Sequence, residues 1–71
     1  MIPKLGEELK NGRLLIGIRD DPRHPGWFVV MGLGSQSYHP YAVWAMDANG
    51  ECFRGDYSET LIEATERFVK R

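Results

Sequence analysis

The chain has seventy-one residues, with nine Lys and Arg against ten Asp and Glu and a formal net charge of −1. It is too short for a second domain or an internal repeat, and its balanced charge supplies no general field to gather nucleic acid or another polyanion. Cys52 is the single cysteine, so an intramolecular disulfide is excluded and a reducing, cytoplasmic setting is expected.

Residues 1–8 lack the basic start and apolar core of a signal peptide, and the longest uninterrupted apolar run covers only residues 27–31. Neither secretion by that route nor a membrane span is expected. A core this small must offset on the order of 100 kcal/mol of chain entropy by dense packing or with help from a partner.

In chain order, residues 1–12 are a polar entry in which Leu5 and Leu9 stand four apart and Asn11-Gly12 supplies a stop. The spacing suggests a short N-terminal helical turn. Residues 13–19 read as a first strand, with Leu14, Ile16 and Ile18 alternating onto one face. Residues 20–26 hold Pro22, Pro25 and Gly26 and break it.

Residues 27–31 make a second strand, extending toward Leu33, whose apolar side chains fall on both faces as in a strand covered on two sides. Gly32, Gly34, Ser35, Gln36 and Ser37 form a flexible connection. A third strand covers residues 41–46. Asn49-Gly50 then predicts a type I′ hairpin returning through a fourth strand at residues 51–55.

Thr60 and Glu63 match a capping box that opens a C-terminal helix. Its stripe of Leu61, Ala64, Thr65 and Phe68 faces the sheet, and Glu66, Arg67, Lys70 and Arg71 face water. The expected fold is α+β, a four-stranded, largely antiparallel meander packed by one helix, as a single domain over residues 1–71.

One helix covers one side of such a sheet, yet strands two and three carry large apolar groups on both. Trp27, Val29 and Met31 oppose Phe28 and Val30, and Trp44 and Met46 oppose Tyr41 and Val43. The second face needs a cover: the N-terminal segment, a second copy of the chain in a homodimer, or a target protein.

His24, His39, Cys52 and Asp56 are metal-capable, but their spacing matches no compact ligand pair, so no metal or other cofactor is expected. A strand cysteine packs more often than it attacks, and residues 32–37 lack the lysine and closing glycine of a phosphate loop. An enzyme is disfavoured. Trp27, Phe28, Tyr38, Tyr41, Trp44, Phe53 and Tyr57, with Arg13, Arg19, Arg23 and Arg54 near them, could stack unpaired bases. Core filling and a protein interface explain so many rings better.

The stretch His39-Pro40-Tyr41-Ala42-Val43-Trp44, the Asn49-Gly50 turn, Gly55-Asp56-Tyr57, and the helix with Glu63-Ala64 and Phe68 resemble a pattern in small uncharacterised proteins encoded by bacteriophages and prophages. The match covers the C-terminal half, and Asp56 stands where that pattern often carries histidine. The resemblance implies a phage accessory protein that binds and modulates a host protein, and it transfers no catalytic residue. The contact residues expected are Trp27, Trp44, Tyr41 and Arg23, with residues 20–26 as an exposed edge. The alternatives are a single-stranded nucleic-acid-binding domain and a structural homo-oligomeric subunit.

Overall fold

Three apolar, β-rich runs and a fourth, more polar and mostly exposed one pair in the order in which they occur along the chain. The computed structural model describes residues 2–34 and 38–71, with β1 (Leu14–Asp20), β2 (Phe28–Leu33), β3 (Tyr41–Met46), β4 (Cys52–Ser58) and α1 (Leu61–Lys70). The sheet order is β1-β2-β3-β4 and every neighbouring pair is antiparallel, so the α+β meander read from the sequence is the fold observed. Ser35, Gln36 and Ser37 of the expected connection lie outside the described residues. Among the described residues, no helix is long and apolar enough to cross a membrane.

Paired residues in a sheet share a face. On one face Val29, Met31 and Val43 pack under Ala64, with Ile16, Tyr41 and Phe68 at the margin. On the other, Leu15, Val30, Ala42, Trp44 and Met46 pack with Leu9, flanked by Ile2, Ile18, Phe28 and Cys52. The N-terminal segment therefore supplies the second cover.

That segment covers the face as an extended strap rather than as a short helix. Tight turns close Glu7 N–H on Lys4 O at 3.0 Å and Gly12 N–H on Leu9 O at 2.9 Å, and between them the backbone bonds to β1: Gly6 N–H donates to Leu15 O at 2.9 Å, Leu15 N–H donates to Glu7 O at 2.9 Å, and Glu8 bridges to Leu14. Gly6 and Gly12 sit at φ +88° and +87°, a region that admits glycine at little cost and breaks a helix. Leu9 is consequently buried while Leu5 is exposed.

Two bulges reshape the sheet. In β1 the register slips between Leu15 and Gly17, so Leu15 and Ile18 join the strap face while Ile16 joins the helix face. The simple alternation of Leu14, Ile16 and Ile18 is broken there, because a bulge inserts one residue and inverts the faces beyond it. In β4 the register slips opposite Trp44, and Arg54 takes φ +55°. β4 therefore continues past Gly55 to Ser58, three residues beyond the expected end.

The hairpin at Asn49-Gly50 forms with a different turn. Gly50 has φ +87° and Asn49 is not among the positive-φ residues, as in a three-residue connection closed by a left-handed glycine rather than a type I′ turn. Asp47 decides this: its Oδ1 accepts from Asn49 N at 2.9 Å and from Glu51 N at 3.0 Å. At α1, the Thr60 hydroxyl accepts from Glu63 N at 3.2 Å, which satisfies one free donor of the first turn. Ala64 is buried and Phe68 half-buried, but Leu61 and Thr65 are exposed. Arg71, expected to face water, folds back onto the β4 bulge instead.

Candidate protein-binding surface

The loop between β1 and β2 is held by one carboxylate. Asp21, whose side chain is 5% exposed, accepts from Arg23 N at 2.9 Å and contacts His24 Nδ1 at 3.1 Å. Asp21 N–H in turn donates to Trp27 O at 3.0 Å, and Trp27 N–H to His24 O at 3.0 Å. The Arg23 backbone donor, aided by the His24 hydrogen bond and by the His24 and Arg23 charges, holds the Asp21 carboxyl below its ordinary value against the opposing effect of burial. Pro22 and Pro25 stiffen the same loop.

This turn aims aromatic rings across the end of the sheet. Trp27 lies 5.3 Å from the His24 ring and 5.5 Å from the Phe53 ring, tilted by 34° and 33° respectively. Val29 pairs with Ala45 and Ala45 with Phe53, so Phe53 lies on the helix face of β4. Trp27 reaches it from the β2 column, across β3. The ridge His24–Trp27–Phe53 is thus assembled from a loop and an edge strand far apart in sequence. Phe53 is 44% exposed, Trp27 is half-buried, and His24 and Arg23 are exposed.

Of the four contact residues expected from the sequence, the structure brings only Trp27 and Arg23 together. Tyr41 is half-buried at the opposite end of β3, paired with Leu33 and Ser58. Trp44 is on the strap face and only 5% exposed. Its indole lies over the two neighbouring strands: a Cβ on Gly32 would stand 2.7 Å from Trp44 Cζ3, and one on Gly55 2.5 Å from Trp44 Nε1. Arg13 covers this ring at 5.7 Å and Tyr57 at 5.3 Å while donating to His39 O and Pro40 O. Trp44 is a core residue, and Phe53 takes its place on the surface. The β3–β4 register was the missing signal, since only that pairing puts Phe53 beside Trp27.

Two open depressions lie on the strap side. One, of about 320 Å³, is lined by Ile2, Pro3, Glu7, Glu8, Lys10 and Gly50. The other, of about 340 Å³, is lined by Lys10, Asn11, Trp44, Glu51, Cys52 and Tyr57. The Lys10–Glu51 ion pair, at 3.0 Å, stands between them. Burial, with Glu51 and Asp47 nearby, pushes the half-buried Cys52 thiol up, which lowers its nucleophilicity at neutral pH. His24 is engaged with Asp21 and Asp56 with Arg71. Among the described residues, no three His, Cys, Asp or Glu side chains converge as a metal site would require.

Comparison with protein-family models, with curated proteins and with solved structures found no match.

Proposed function

We propose that this chain is a non-enzymatic protein-binding module that contacts its partner through the ridge His24–Trp27–Phe53. One observation carries the reading: two large rings packed 5.5 Å apart, Phe53 on edge strand β4 and Trp27 on a loop braced by a buried carboxylate, lie partly open to solvent at the end of the sheet. Interfaces draw most of their energy from a few rigid aromatic anchors, and a braced loop loses little entropy when it docks. The likeness of the C-terminal half to small phage proteins favours a host protein as the partner and modulation of that host protein as the outcome.

The test is capture from bacterial lysate by the tagged chain, with and without nuclease, comparing wild type with Trp27→Ala/Phe53→Ala. Both side chains lie outside the two core clusters, so the variant is expected to keep its fold, which circular dichroism checks. A protein captured after nuclease treatment and lost in the folded variant supports the reading. Capture that is unchanged in the variant, or that vanishes with nuclease, overturns it.

A further inference from the structure

One helix leaves part of its own face of the sheet bare. A helix with its side chains is about 10 Å across and strands lie about 4.8 Å apart, so α1 covers about two strands well. It packs on β2, β3 and β4, and no Cα of α1 comes within 8 Å of a Cα of β1. The Phe68 ring reaches that strand: a Cβ on Gly17 would stand 3.3 Å from Phe68 Cζ, and the Arg19 guanidinium lies 5.9 Å from the ring. Beyond it, Ile16 is half-buried at the margin of this face and Leu14, paired with Leu33, is exposed.

The flank of α1 that overlooks β1 is apolar too. Leu61, Thr65 and Val69 stand four apart and form one row, with Ile62 on its outer side and Ala64 and Phe68 on its inner side. Ala64 and Phe68 pack on the sheet. Leu61 is exposed, Ile62 is 75% exposed and Val69 is 59% exposed. Arg71 turns toward β3 and β4, and Phe68 turns toward β1. The Leu61–Thr65–Val69 row comes next around the helix after Phe68 and so lies on the β1 side. The apolar arc of α1 is about twice as wide as its own sheet uses.

We infer that a second copy of the chain covers both bare surfaces at once. The axis of α1, centred over β3, and the line of β1 are two strand spacings apart, roughly 10 Å, which is the distance at which two helices pack. A two-fold axis parallel to α1 therefore sets two parallel helices between two sheets. Each row then meets its mate, and Ile62 of each copy lies on β1 of the other. A two-fold axis perpendicular to the sheet would drive the two sheets into each other.

The charges agree with this arrangement. Glu66 borders Ile62, half-buried Arg19 lies on β1, and no ion pair among the described residues engages either. The axis brings Glu66 of one copy over β1 of the other, where the opposite charge stands. Asp20 pairs with Phe28 and faces the strap side, away from this contact. The ridge, with Phe53 on the opposite edge strand, stays outside the interface, so the assignment does not depend on the protein-binding reading.

The experiment is sedimentation equilibrium of the whole chain from about 10 μM to about 1 mM. The expected result is a dimer of twice the 8.1 kDa chain mass. Ile62→Glu/Val69→Glu, two exposed positions, should weaken it at least about tenfold while circular dichroism shows the fold retained, and Thr65→Leu should tighten it. A wild-type chain that stays monomeric throughout would overturn the inference, as would a dimer unchanged in Ile62→Glu/Val69→Glu. A dimer lost instead in Trp27→Ala/Phe53→Ala would overturn it and make the ridge the self-association surface. A monomeric chain whose capture of a lysate protein is lost in Ile62→Glu/Val69→Glu would overturn the second copy as occupant and move the proposed contact from the ridge to this flank.

Discussion

The Arg71 guanidinium donates to the carbonyl oxygen of Val43 at 2.6 Å, tying the end of α1 to the middle of β3. It also donates to Arg54 O and lies 3.5 Å from Asp56. The β4 bulge takes these carbonyls out of the regular ladder, and a carbonyl left without a donor beneath a helix is costly.

Arg71→Ala is therefore expected to lower stability by about 1 to 3 kcal/mol, because it removes a charge-assisted bond to the partly buried Val43 carbonyl together with an exposed one to Arg54 O. For a chain of this size that corresponds to a fall in Tm of very roughly 4–8 °C per kcal/mol. Arg71→Lys should recover only part of the loss, since one ammonium does not reproduce the two-pronged guanidinium. Thermal denaturation followed by circular dichroism reads both variants, and wild-type stability in Arg71→Ala would refute the role.

Gly55→Ala is expected to destabilise by about 1 to 3 kcal/mol and to shift Trp44 fluorescence. The added Cβ would stand 2.5 Å from Trp44 Nε1 and 2.7 Å from Tyr57, and overpacking costs energy as surely as a void does. Gly26→Ala is the comparison. Its Cβ would meet nothing within 4 Å, although its φ of +83° carries a backbone cost. An emission spectrum unchanged in Gly55→Ala would contradict the close packing of the indole.

Leu9→Ala should cost about 2 to 4 kcal/mol, whereas Leu5→Ala should be close to neutral. The residues are 3% and 63% exposed. Urea denaturation of the two variants distinguishes the strap from a short helix packing both leucines, which would make the two losses similar.

The stability gap between wild type and Asp21→Ala should depend on pH. The folded Asp21 carboxyl is held below the ordinary 3.8, so the unfolded chain takes up the proton first as pH falls. The contribution is thus fully present above about pH 5, and it is lost as pH falls through the depressed folded value. Denaturation curves at stepped pH should show the two proteins converging below about pH 4, and a gap that widens on acidification would reverse the sign of the argument.

Local patterns carried much of the fold. The Tyr41–Met46 strand, the Thr60 cap and the helix after it depend on neighbouring residues, and all three appear where periodicity and capping chemistry put them. The failures fall where a distant contact outweighed a local preference. Gly55 reads as a strand end, but beside Trp44 it makes room for an indole. Leu5 and Leu9 read as one helical face, but the backbone between them finds its partners on β1. Asn49-Gly50 reads as a type I′ turn until Asp47 claims its donors.

The candidate surface divides along the same line. Trp27 and Arg23 are legible because they flank a proline-stiffened loop, whereas Phe53 on an edge strand gains its place only from the β3–β4 register, and Trp44 loses its place to burial. The sequence by itself determined the class of fold, the number and order of the elements and the need for a cover on both faces of the sheet, because apolar periodicity, turn residues and caps act within a few residues. Only the tertiary structure decided which segment supplies that cover, where the two bulges invert the faces, and which rings meet at the surface. Those outcomes depend on pairing register and on side-chain volumes brought together from strands far apart in the chain, which local periodicity does not encode.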